Sequence, residues 1–217
     1  MTIKKYLHSC LCIEENGKRL LIDPGAFSFV EGTLSPKDIG PVDVIIYTHT
    51  HADHLDIQSL KSFLAMKKAT LVAHLDVGRE LEKNGLLYER IEAGEKWEAE
   101  GFSIEAHAAP HDPIPSEIPH NLAYVINKTV LHPGDSLRVE GVKKIDVLAL
   151  PTFAPWLRAV DAIAFAQKLS PKIAIPIHDA MMKDFFLERM YTGMFPPHFS
   201  NANIDFHPLS PTDELSV

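Results

Sequence analysis

The sequence predicts an α+β chain built as a sheet sandwich with helices on the outside. Short apolar, β-branched runs of strand length recur from end to end, hairpin turn signals join several of them, and single helical periods fall between. A doubly wound parallel sheet would need strands and helices in strict alternation, which the hairpins interrupt.

Residues 3–22 read as a hairpin, with 3–13 as the first strand and 19–22 as the return strand across Asn16-Gly17, a dipeptide that tolerates the positive φ values of a tight turn. Asp23-Pro24-Gly25 ends that ladder, and Asp23 reads equally well as a turn former or as a carboxylate buttressing a ligand histidine. The stretch 25–41 reads as a loop, a lip over a site. Val44 to Tyr47 form a buried strand, and Ile57, Leu60, Phe63 and Leu64 follow at helical spacing behind Asp56, to which no chemistry is assigned. Residues 70–74 read as a strand, 77–83 as a helix closed by Asn84-Gly85, and 88–91 and 96–100 as short strands with turns at Gly94 and Gly101. Residues 102–112 run as a strand into a proline-stiffened loop that ends at His120-Asn121 and suits a substrate wall, with His120 read as a solvated loop histidine. A hairpin across Asn127-Lys128 leads to His132-Pro133-Gly134-Asp135-Ser136. A strand over 145–150, a helix over 160–169 and a strand over 172–177 deliver His178-Asp179. The last helix spans 181–192, and its Met181, Met182, Phe185, Phe186, Met190 and Met194 read as core or lip residues rather than cofactor contacts. No short repeat or low-complexity linker divides the chain, so residues 1–217 read as one domain.

Composition narrows the function. An apolar share of 46% supports a sizeable core, and a net charge of −8 argues against nucleic acid as a partner. No apolar run reaches membrane-spanning length, and the first eight residues lack a signal-peptide pattern, so the expectation is a cytoplasmic chain with no membrane partner. Cys10 and Cys12, two apart on a strand, suit packed, reduced thiols better than a strained bridge. The 12 histidines gather at the ends of apolar runs, which suggests one convergent site.

The densest gathering is Thr48-His49-Thr50-His51-Ala52-Asp53-His54, at the exit of the 44–47 strand. Residues two apart on extended chain share a direction, so His49 and His51 can bind one ion together, while the following turn carries Asp53 and His54 elsewhere. That suits two adjacent ions. Imidazole and carboxylate without thiolate favour zinc, with manganese or iron compatible, and leave coordination open for water. Downstream, His111 stands at a strand exit, whereas His107 lies inside the strand on the opposite parity to Ile104 and Ala106. This makes His111 the candidate ligand and His107 the alternative. Asp135, on a Gly-Asp turn that permits close backbone approach, and His178 complete the set.

The order His49-x-His51-x-Asp53-His54, His111, Asp135, His178 resembles the metallo-β-lactamase superfamily, and within it the UPF0173-type and ascorbate-6-phosphate-lactonase-like metal-dependent hydrolases. Leu7-His8-Ser9, Leu21-Ile22-Asp23-Pro24 and Ile175-Pro176-Ile177-His178 add to the likeness, which spans about the whole chain. The resemblance implies an αββα four-layer sandwich and two divalent metal ions, with zinc first in preference. It implies His49, His51 and His111 on one ion, Asp53, His54 and His178 on the other, and Asp135 between them. The surroundings of His111 and the 112–121 loop depart from the nearest subgroup's pattern, which leaves the substrate open. The implied reaction is hydrolysis of an ester, lactone, amide or phosphodiester bond in a small molecule by a hydroxide bridging two ions, with Asp53 as the catalytic residue that orients it. Two other readings compete: an iron-dependent oxidoreductase on the same fold, and a non-catalytic metal-stabilised binding module. The methionine- and phenylalanine-rich C-terminal portion fits core packing and also the interface of a homo-oligomer.

Overall fold

Alternation of side chains along each strand sorts the chain into four layers. The structure, a computed structural model, describes residues 1–211 and 213–217. It opens with three antiparallel strands, β1 (Thr2–Lys5), β2 (Leu11–Glu15) and β3 (Lys18–Ile22). Parallel strands β4 (Val44–Ile46), β5 (Thr70–Ala73) and β6 (Glu89–Arg90) extend that sheet from β3. The second sheet begins with antiparallel β7 (Lys96–Ala99), β8 (Phe102–Ala108), β9 (Leu122–Ile126) and β10 (Val130–His132). It continues from β10 in parallel through β11 (Val147–Pro151), β12 (Ile173–Ile177) and β13 (Asp205–Phe206). A last strand, β14 (Leu215–Ser216), returns to pair with β1. Among the described residues the two sheets have seven strands each, and each is part antiparallel and part parallel.

Leu20, Ile22, Val44 and Ile46 point inward and meet Ile104, Tyr124, Ile126 and Val147 of the other sheet. Their neighbours Leu21, Ile45 and Tyr47 point outward, against Leu60 and Phe63 of α2 (Ile57–Met66) and Val77 and Leu81 of α3 (Leu75–Lys83), which α1 (Pro36–Ile39) precedes in the chain. On the far side, Val125, Leu148 and Leu150 pack against Ala162, Phe165 and Ala166 of α4 (Ala159–Leu169). Helix, sheet, sheet and helix therefore form the α+β sandwich the sequence predicts.

Local chemistry explains the boundaries. Asn16 and Gly17, at φ 51° and 74°, form the first hairpin turn, and Asn127 and Lys128, at 47° and 57°, form another. Asp56 caps α2 by accepting from the Gln58 and Ser59 amides at 3.3 and 2.9 Å, a contribution of about 1 kcal/mol. Gly85, at φ 71°, closes α3.

Three expectations need correction. Residues 3–13 are not one strand: the chain turns at 6–10, where the Tyr6 amide donates to the Cys10 carbonyl at 2.8 Å and His8 adopts φ 60°. The stretch 25–41 is not plain loop, because it holds a 3-10 helix over Ala26–Gly32 as well as α1. The helix expected over 181–192 starts later, as α5 (Asp184–Arg189), widens into a π-helical turn over Met190–Met194 and resumes as α6 (Pro196–Ser200). Of its six apolar residues only Met190 is buried, while Met181, Phe185, Phe186 and Met194 are exposed. Phe195, Phe199 and Phe206 fill the core there instead, with Phe199 and Phe206 stacked at 4.9 Å.

Strands β3, β4 and β5 of one sheet and β10 and β12 of the other deliver Asp23, the 48–54 segment, His74, Asp135 and His178 from their C-terminal ends. One tight contact seats this rim. Gly134 has φ +59°, and a Cβ there would lie 2.1 Å from Asn121 Oδ1 and 2.8 Å from Thr48 Cβ. Gly134→Ala should therefore lose about 2–4 kcal/mol through backbone strain and overlap together. The check is thermal unfolding of the metal-free chain, with a midpoint lowered by about 10 °C.

Candidate metal centre

Asp23 is the first piece. It is fully buried at φ 49°, and its carboxylate accepts the Thr48 amide at 2.7 Å, the Thr48 hydroxyl at 2.6 Å and His54 Nδ1–H at 2.8 Å. Because the Thr48 hydroxyl proton is committed to Asp23, Thr48 Oγ1 accepts from His49 Nδ1–H at 3.0 Å. One carboxylate thus sets the ring orientation of two histidines. Asp23 is at once the turn residue and the buttress, so the sequence's two readings both describe it.

The other histidines are held in the same way. His111 Nδ1 donates to the Asp112 carbonyl at 2.5 Å, and His178 Nδ1 donates to the Phe153 carbonyl at 2.6 Å. With Nδ1 engaged, each presents Nε2 to the centre, and the Nε2 atoms of His54, His111 and His178 are buried without a well-formed hydrogen bond, as is Asp135 Oδ1. Such convergence of unsatisfied buried atoms is costly unless something fills it. The Asp135 loop is fixed by Asn121, whose Oδ1 accepts the Asp135 amide at 3.2 Å while its Nδ2 donates to the carbonyls of Ala109 and Pro133 at 2.7 and 3.1 Å. Trp156 donates from Nε1 to Asp135 Oδ2 at 3.1 Å and sets its ring against His111 and His178.

All seven residues proposed from the sequence come together. Their donor atoms form two groups, each able to hold an ion: His49, His51, His111 and Asp135, and His8, Asp53, His54 and His178, with the ligand atoms of each group within 4.8 Å of one another. Asp135 faces both groups, with Oδ1 3.0 Å from His54 Nε2 and Oδ2 3.4 Å from His111 Nε2 and 3.2 Å from His178 Nε2. Donors at about 2.1 Å from one ion lie about 3.0–3.4 Å apart for octahedral to tetrahedral angles, so these spacings fit divalent cations. His107 stands apart: its Nδ1 donates to the Glu140 carbonyl at 3.0 Å, and its ring lines a separate groove with Glu105 and Lys143. His8, Asn121 and Trp156 were not found as site residues from the sequence. The signal for His8 was present, since a histidine and a serine interrupt an apolar run at 7–9; Trp156 carried none.

The charges alternate. Burial drives the His49 imidazole well below its ordinary range, and burial with His111 lowers His51. For His54 burial also opposes protonation, but Asp135 and Asp23 outweigh it and raise the group well above its usual value; Asp135 does the same for His178. Burial of Asp135 is in turn outweighed by His178 and His54, which keep it ionised. Behind His178, the buried Lys5 ammonium meets both Asp179 oxygens at 3.0 and 2.8 Å, and the Tyr191 hydroxyl donates to Asp179 at 3.0 Å. Asp53 is 19% exposed, and half-buried His51 lines a cleft of about 450 Å³ together with Thr50, Arg79, Lys83, Glu117 and His120. His120 is exposed there, with its ring edge on His74 at 4.7 Å.

Known proteins share this sequence pattern and fold. The family model of the beta-lactamase superfamily domain matches residues 2–178. Protein Rv0786c of Mycobacterium tuberculosis is 32% identical over 191 residues, covering 84% of this chain and 85% of its own length. The UPF0173 protein PF0020 of Pyrococcus furiosus is 30% identical over 179 residues, covering 79% of this chain and 80% of its own. Igni18, a metallo hydrolase from Ignicoccus hospitalis, shares the fold at a TM-score of 0.78 and 17% identity, over 99% of this chain and 97% of that one. The chain belongs to the metallo-β-lactamase superfamily. Within it, this chain belongs to the UPF0173 family. Among the described residues no helix is long and apolar enough to cross a membrane.

Asp23→Asn keeps the shape and a residue tolerant of positive φ but removes the charge that orients His54 and, through Thr48, His49. It should weaken divalent-ion binding about 10- to 100-fold, read by zinc titration against a competing chelator.

Proposed function

We propose that this chain is a hydrolase dependent on two divalent metal ions, acting on an ester, lactone, amide or phosphodiester bond of a small molecule. The observation that carries the proposal is the convergence of the buried Nε2 atoms of His54, His111 and His178 on the Asp135 carboxylate, 3.0–3.4 Å away, where none of the three makes a well-formed hydrogen bond. His49, His51 and His111 would hold one ion, and Asp53, His54 and His178 the other, with Asp135 between them. All-N/O donors without thiolate favour zinc. When bound, such ions lower the pKa of water far below its bulk value, towards about 7, and polarise the oxygen of the bond under attack.

The chain's own residues supply the rest. Asp53 keeps its carboxylate ionised, because the His8 hydrogen bond and the His54 charge outweigh its burial. Standing where the centre opens to solvent, it orients the attacking water and receives its proton. The cleft beside His51, with Arg79 and Lys83 paired to Asp76 and Glu80, presents polar groups of both signs to a small substrate.

Metal content per chain after purification without added metal tests this reading, with Asp135→Ala and His178→Ala as controls. About two zinc or manganese ions, reduced in both variants, with turnover on an ester, lactone and phosphodiester panel, is the expected result. A single iron unaffected by either variant would reject it in favour of oxygen-dependent chemistry.

Metal uptake should also follow pH. Asp135 raises both His54 and His178, so protons compete with an ion for their Nε2 atoms. Affinity should fall as pH is lowered, and uptake at neutral pH should release protons. Calorimetry in buffers of different ionisation enthalpy counts them.

A further inference from the structure

His8 differs from four of the other histidines at the centre. His49, His54, His111 and His178 each engage Nδ1 with a protein oxygen. In His8 the pattern is inverted: Nε2 lies 3.0 Å from Asp53 Oδ2, while Nδ1 is buried with no partner. The tautomer follows. A metal-ligating His8 would give up its Nε2 proton and leave a buried Nδ1–H unsatisfied, whereas an Nε2–H donor leaves only a bare lone pair at Nδ1, the cheaper defect.

The backbone is arranged around this ring. His8 is fully buried at φ 60°, a conformation that costs a side-chain-bearing residue of this kind about 1–3 kcal/mol. The second sheet clamps the turn twice: the His178 amide donates to the His8 carbonyl at 3.0 Å, and His132 Nε2 donates to the Ser9 carbonyl at 2.9 Å. The imidazole is wedged between Phe27, at 5.2 Å, and His178, at 4.0 Å, and among the described residues Asp53 is its one hydrogen-bond partner.

We infer that His8 is a positioning residue, outside the ligand set, whose Nε2–H holds Asp53 by Oδ2 and aims that carboxylate at the second metal position. Its effect on metal binding rests on the two-ion reading above; the hydrogen bond does not.

Two measurements separate the possibilities. In the metal-free chain, long-range ¹H–¹⁵N NMR of the imidazoles should show His8 as the Nε2–H tautomer, with that proton's shift moving in Asp53→Ala. An Nδ1–H tautomer overturns the inference whether or not the chain binds metal. In zinc titrations, His8→Leu should keep two sites per chain but weaken one about 10- to 100-fold, and His8→Gln, whose amide can reach the Nε2 position, should recover most of the loss. His8→Gly relaxes the backbone without restoring a donor and should bind like His8→Leu, which separates hydrogen bonding from strain. Loss of one zinc site in both His8→Leu and His8→Gln would make His8 a ligand and reject the positioning role, as would unchanged affinity in His8→Leu. Wild-type protein that takes up no zinc, manganese or iron while showing the Nε2–H tautomer would reject the two-ion reading alone and leave the hydrogen bond standing.

Discussion

The Asp23 carboxylate is the constraint on which the centre depends. Fully buried and held at the end of β3 by its amide bond to the Ile46 carbonyl, it gathers the Thr48 amide and hydroxyl and His54 in three hydrogen bonds of 2.6–2.8 Å. Through Thr48 it reaches His49, so a residue contributing no donor to either group orients one member of each. Buried charge is expensive unless its lone pairs are occupied, and here neighbouring donors occupy them.

The same logic makes the metal-free centre uneasy. Four imidazole nitrogens, of His8, His54, His111 and His178, and a carboxylate oxygen are buried without a well-formed hydrogen bond, and histidines pushed above and below their ordinary values sit side by side. Packing alone would exclude such a set; its persistence requires a scaffold that over-determines it. The inner core between the sheets, the Lys5–Asp179 pair joining the two sheets behind His178, and the close seat of Gly134 against Asn121 and Thr48 provide that scaffold.

Fold class and the members of the centre were legible because their signals are local. Strand-length apolar runs, Asn-Gly and Asn-Lys turns, and donors placed where a strand stops can all be read within a few residues. What stayed illegible depends on groups distant in sequence. His8 meets Asp53 across 45 residues, and Trp156 reaches Asp135 only because the loop after β11 folds back over the rim. Residues 3–13 looked like one strand because their composition is strand-like throughout; the break is imposed by the clamp of His132 and His178 on the turn, which no local pattern announces. The methionines and phenylalanines of 181–194 have core-like composition but lost the core to Phe195, Phe199 and Phe206, whose mutual stacking decides which side of the segment is buried.

The two donor groups do not divide along the two sheets. One takes His49 and His51 from the N-terminal sheet and His111 and Asp135 from the other, while the second takes Asp53 and His54 from the first and His178 from the other. Neither half of the polypeptide carries a complete set. A chain severed between β6 and β7 would own two fragments that are each deficient, and only their reassociation would rebuild both groups. A cation occupying either one would then act as a crosslink between the halves, making this fold a natural candidate for metal-controlled fragment complementation.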